Sequence, residues 1–75
     1  MSIHNEILAE RIRQDNEFGG PRHDDKNTWF DWRGFIYKQL TNGSMAHSAS
    51  EQRECMVKIA AIAHAALESF DRKPT

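Results

Sequence analysis

At 75 residues the chain is one small domain, a size that buries little surface and is marginal alone. Its single cysteine excludes an internal disulfide. The net charge of -1 excludes the electrostatic footprint of bulk nucleic-acid or membrane binding.

The first predicted helix starts at Ser2, a good N-cap, and puts Ile3, Ile7, Leu8 and Ile12 on one stripe. Residues 1–6 lack the basic region and apolar core of a secretion signal, and no apolar run approaches the roughly 20 residues of a membrane span. A cytosolic protein is expected. The helix cannot pass Gly19-Gly20-Pro21, where two glycines free the backbone and the proline lacks a donor. A polar loop is expected next. Thr28 and Asp31 form a capping box opening a second helix, with Trp32, Phe35, Ile36 and Leu40 on its buried face and Asn42-Gly43 as its stop.

Residues 42–49 are small and polar, a connector. Ser48 and Glu51 repeat the box and open a long third helix reaching Phe70 or Arg72. Its middle, Ile59 through Leu67, is apolar nearly all round, a pattern that requires burial on more than one side. Two other helices cannot surround it, and its alanines allow a close approach. The expectation is therefore all-α: three helices, two short and one long, with the bundle completed by homo-oligomerisation, at least a dimer, through the helix of residues 50–70. Residues 1–75 read as a single helical domain ending in a frayed Lys73-Pro74-Thr75 tail.

The densest chemistry lies in residues 10–32. His23-Asp24-Asp25 has the residue types of a metal site or an acid–base pair, but Asp also accepts bonds from turn amides and His locks against carboxylates, and a single cluster is too little for a metal. Trp32 lines up with the core face. Trp29 is the freer ring and Phe30 is partly open; a base stacks on such a ring with about 1–3 kcal/mol. Arg11, Arg13, Lys26 and Arg33 are cationic donors for a phosphate. Arg53 and Lys58 are further cationic candidates on the third helix, and Arg53 sits where the helix dipole favours acids. Cys55 reads as a small buried hydrophobe and His64 as a core or interface histidine. Glu68 and Asp71, three apart, and Glu6 and Glu10, four apart, read as surface charge.

Ala9-Glu10-Arg11-Ile12-Arg13-Gln14, the Gly-Gly-Pro turn, His23-Asp24-Asp25, Asp31-Trp32 and Phe35-Ile36 resemble a set of small phage and prophage proteins. These are related to the MazG-like nucleotide pyrophosphohydrolases and to the N-terminal region of phage dATP/dGTP diphosphohydrolases. Arg53 through Ala63 and Ala66 through Arg72 resemble the long helix of the same group. The resemblance implies an all-α, oligomeric, nucleotide-related protein, active in a host bacterial cytosol if phage-encoded. Active members hold Mg²⁺ with an E-E-x-x-E cluster on one helix and an E-x-x-D pair on the next, so that the metal organises a triphosphate for attack by water. Here the second helix has no carboxylate after Asp31, and Val57 stands where the aspartate would fall.

Three readings follow. In the first, the chain is a non-catalytic nucleotide-binding protein without metal or cofactor. It sequesters a nucleotide, including a cyclic signal of host antiviral defence, with Arg11, Gln14, His23, Asp24, Asp25, Lys26, Trp29 and Arg33 as ligand-binding residues. In the second, it is a Mg²⁺-dependent nucleoside-triphosphate pyrophosphohydrolase with a relocated site at Glu68, Asp71 and Asp24 or Asp25. In the third, it is a protein-binding inhibitor of a host defence system, of the anti-CRISPR kind.

Overall fold

Serine, threonine and serine again open the three long helices, each by accepting a backbone N–H three residues on. Ser2 takes that of Asn5 (3.1 Å), Thr28 that of Asp31 (3.3 Å) and Ser48 that of Glu51 (3.2 Å). The computed structural model describes residues 2–73. It holds four helices, α1 (Ile3–Phe18), α2 (Gly20–Asp24), α3 (Trp29–Ser44) and α4 (Ala49–Arg72), and no strand among the described residues. The capping box at α3 is complete, because the Asp31 carboxylate accepts the Thr28 N–H in return (2.8 Å). At α4 the second half differs: the Glu51 carboxylate accepts from the His47 N–H (3.3 Å) instead.

The count of three helices is corrected to four. Gly19 ends α1 in the left-handed region (φ +101°), its N–H closing on the Asp15 carbonyl at 3.0 Å. Gly20, also at positive φ (+68°), immediately restarts the chain as α2, with Pro21 in its first turn where a missing N–H costs nothing. Five residues show no hydrophobic period, so this helix reads as loop in the sequence. The stop at Asn42-Gly43 is corrected too. α3 runs through both to Ser44, and Gly43 serves close packing, since a Cβ there would lie 3.6 Å from the Cys55 Cβ. Of the expected tail, Pro74 and Thr75 lie outside the described residues. Lys73 is held, its ammonium donating to the Asn27 carbonyl (3.3 Å) and lying 5.6 Å from the Phe70 ring centroid.

α4 is the spine. It packs against α1, α2 and α3, whereas α1 and α3 make no close backbone approach to each other. The core is correspondingly small: Trp32, Ile62, Ala65 and Ala66 with Ile36 packed beside them, and Ala61 fully buried. Phe35 meets Trp32 edge-on at 6.0 Å. The expected apolar stripes are only partly covered. Ile3 and Ile12 of α1 stand exposed, and Phe35 and Leu40 of α3 are about half open. α4 buries Ala61, Ile62, Ala65 and Ala66 but leaves Met56 and Leu67 exposed. No described helix is long and apolar enough to cross a membrane.

Candidate functional site

Because α1 and α3 diverge from the same spine, a groove of about 900 Å³ opens between them with α4 as its floor. Helical spacing sets its walls. Glu6, Glu10, Gln14 and Glu17 line it from α1, and Trp32, Phe35, Gln39 and Asn42 from α3. Lys58, Ile62 and Ala65 contribute from α4, and His23, Asp24 and Asn27 close the end near α2. Lys38 reaches the same groove.

Three carboxylates of the α1 wall are held by arginines. Glu6 accepts from Arg53 at 2.6 and 2.8 Å, Glu10 from Arg13 (2.7 Å) and Gln14 (2.9 Å), and Glu17 from Arg13. The Arg53 and Arg13 guanidiniums hold the Glu6 and Glu10 carboxyls below their usual range. Gln14 also faces the Lys58 carbonyl (3.5 Å), tying α1 to α4.

At the α2 end, buried polar groups gather without filling one another's needs. Arg11, Asp24, Asn27 and Trp32 are each at least nine-tenths buried. Yet Asp24 Oδ2, Asn27 Nδ2, Trp32 Nε1 and Gln39 Oε1 have no hydrogen-bond partner, and neither do Arg11 Nε and Nη1. Each such atom costs about 1–3 kcal/mol in a dry interior. Native proteins place water or a ligand against them. At this end Asn27 and Trp32 offer donors and Asp24 an acceptor, Gln39 offers an acceptor two turns further along α3, and all four line the groove.

Behind this end, α2 is clasped to α4. Ser69 shares its hydroxyl proton between Asp25 Oδ1 (3.0 Å) and the Asp24 carbonyl (3.3 Å), and Arg72 grips the Asp25 carboxylate (2.7 Å to Oδ1). Arg11 Nη2 donates to Glu68 Oε1 at 2.6 Å, and His64 Nδ1 lies 3.3 Å from the same oxygen. Arg72 holds the Asp25 carboxyl low, while burial pushes Asp24 up against the pull of Arg11.

These shifts have opposite signs for stability. Glu6, Glu10 and Asp25 stabilise the fold above the ordinary carboxylate pKa of about 4, and that gain is lost as pH falls through their depressed values. Asp24, raised, carries no penalty while protonated and destabilises as pH rises through its elevated value. Asp24→Asn should therefore raise the melting temperature at pH 7, with the advantage over the parent vanishing below about pH 4. Parallel melting curves from pH 3 to 7 measure this (about the range over which carboxylates titrate), and an advantage that persists in acid would show that the Asp24 charge is not its source.

Of the residues singled out in the sequence, the structure gathers Gln14, His23 and Asp24 around the groove. Arg11 lies behind its end, committed to Glu68; Asp25 is on the outside with Arg72; Lys26 is exposed in the turn after α2. Trp29 points to solvent, and Arg33 lies on the outer face of α3, in a shallow hollow with Phe30, Gly34, Tyr37 and Lys38. Arg53 and Lys58, the cationic candidates of the long helix, also line the groove, which adds Asn27, Gln39 and Lys38, none of which has a motif around it. The available signal was the 3-4-3 spacing of Trp32, Phe35, Gln39 and Asn42, which mixes polar and apolar groups on one face. Among the described residues, no three His, Cys, Asp or Glu side chains converge as metal ligands. No protein-family model, curated protein or solved structure matches the chain.

Proposed function

We propose that the chain is a non-catalytic binding protein that takes a nucleotide-sized ligand, linear or cyclic, into the groove between α1 and α3. The observation that carries this reading is the set of unpaired, buried donors and acceptors on Asp24, Asn27 and Trp32 at one end of a ligand-sized groove, with Gln39 offering an unpaired acceptor further along its α3 wall. A nucleobase edge offers alternating donors and acceptors of that kind. Lys38 and Lys58, which hold no ion pair among the described residues, supply positive charge for a phosphate further along. Metal is unnecessary to this mode of binding, and the groove carboxylates Glu6, Glu10 and Glu17 are already paired, Glu6 with Arg53 and the other two with Arg13. A hydrolase at Glu68 and Asp71 would first have to free Glu68 from Arg11. The phage setting and the antiviral signal rest on the resemblance alone.

The test is a thermal-shift screen against linear and cyclic nucleotides, with and without Mg²⁺, because a ligand bound only by the folded chain raises its stability by about 2.7 kcal/mol at one hundred times its dissociation constant. Stabilisation without metal is expected, lost in Asn27→Ala and Lys58→Ala and kept in Trp29→Ala and Arg33→Ala. The reverse pattern would move the site to the outer face of α3, and stabilisation only with Mg²⁺ would favour the hydrolase. Trp29, Phe30 and Tyr37, all exposed on one helix, favour a second reading as a protein-binding inhibitor. That reading expects no nucleotide shift at all.

A further inference from the structure

We propose that the outer face of α4 is a self-pairing seam on which a second copy of this chain docks antiparallel. This inference is independent of the ligand reading above.

The pattern comes from position and exposure together. Met56, Ala60, Ala63, Leu67 and Phe70 follow one another at spacings of 4, 3, 4 and 3, the repeat that keeps one stripe of a helix against a partner helix. At about 100° per residue they lie opposite Ala61, Ala65 and Ser69, which face into the chain. Their exposure agrees: Met56 and Leu67 are 60% and 63% open, Phe70 is 45% open, and the two alanines between them are half-buried. A soluble helix does not gain from a five-residue apolar stripe facing water.

The fold also shows too much surface for its mass. Its 5563 Å² of accessible surface compares with about 4,700 Å² for a compact folded chain of 8.7 kDa. Its radius of gyration of 12.8 Å likewise exceeds the value of about 11.4 Å for this length. The excess, spread over the groove and the outer faces, is of the size that one partner buries in a standard interface, about 800 Å². α1 and α3 pack on other faces of the spine, and Met56, Leu67 and Phe70 of the seam stay open among the described residues.

Size and charge commit the occupant to a second copy in one orientation. With a two-fold axis between Ala61 and Ile62, Ala60 meets Ala63 of the second copy and Met56 meets its Leu67. Small then lies on small at the crossing and large on large outside it, the self-complementarity that an isologous dimer requires. The same operation brings Arg53 against Phe70 and Asp71 of the second copy. Asp71 has no ion-pair partner among the described residues. Arg53 already holds Glu6 of its own chain through Nη1 and Nη2, but it is half exposed and has five N–H donors, so those left over can make two symmetry-related Arg53–Asp71 contacts, and the helix dipoles of the pair run opposed. A parallel pair would set Arg53 on Arg53. Ala66, by contrast, belongs to the core with Trp32 and Ile62, so a charge there breaks the fold and says nothing about the seam.

Sedimentation of the full chain over a concentration series tests the proposal. The parent should be a dimer. Leu67→Glu, on an exposed position that keeps its helical signal, should weaken dimerisation by about a hundredfold. Asp71→Arg should weaken it by about tenfold through repulsion with Arg53. A parent that stays monomeric at every concentration overturns the proposal, and so does a dimer indifferent to both substitutions. Orientation is read by oxidising a mixture of Ala60→Cys and Ala63→Cys chains, each also carrying Cys55→Ser. The mixed disulfide should dominate; a dominant Ala60→Cys homodisulfide would exclude the antiparallel register.

Discussion

Trp32→Ala should leave the chain unfolded in plain buffer. Truncating a buried Trp costs about 3–5 kcal/mol, and a single core in a chain this short rarely supplies more than that. Trp32 is the one large ring in a core otherwise made of Ile62, Ala65 and Ala66, with Phe35 edge-on beside it. Trp29→Ala, three residues earlier on the exposed side of the same helix, should shift stability by less than about 0.5 kcal/mol. Urea titrations followed by far-UV circular dichroism, at one protein concentration, compare the two. A cooperative transition for Trp32→Ala at the parent midpoint would mean that α3 is held to α4 by something other than this ring.

Glu68→Ala should cost about 2–3 kcal/mol, more than its half-exposed position suggests, because it strands a buried guanidinium. Arg11 already has Nε and Nη1 unpaired, and Glu68 takes the remaining hydrogen bond at 2.6 Å. Removing the acceptor leaves the charge in place with no hydrogen-bond partner. Adding Arg11→Met to Glu68→Ala should therefore recover more than half of the loss, a coupling of about 1–3 kcal/mol in a double-mutant cycle. If the two changes instead add within about 0.5 kcal/mol, Arg11 is stabilised chiefly by other groups, of which Asp24 is nearest in charge.

These two results bear on how the dense segment of residues 10–32 is understood. In the sequence, Arg11, Asp24 and Asp25 have the residue types of a ligand site. In the fold, Arg11 with Glu68 and Asp25 with Ser69 and Arg72 clamp α1 and α2 onto the last turns of α4, across more than 40 residues of chain. Their sequence neighbours cannot reveal this, since each partner lies far along the chain. Gln14, His23 and Asp24 do border the groove, but beside Asn27, Lys38 and Gln39, which no motif marks.

What the sequence determined by itself was local. Ser2, Thr28 and Ser48 accept the third N–H ahead whatever the rest of the chain does, and so the starts of the three long helices, and the break after Phe18, are legible residue by residue. α2 was hidden because five residues carry no period, and Gly43 looked like a stop because its value lies in contact with Cys55 rather than in its φ. Only the tertiary structure decided which side of each amphipathic helix is covered. Periodicity names a face but not its partner: Trp32 and Ile36 found α4, while Ile3, Ile12 and Leu40 on equally regular stripes did not. The groove belongs to the same class of fact. It exists because α1 and α3 each pack on α4 and not on one another, a relation between three separated segments that no single window of sequence contains.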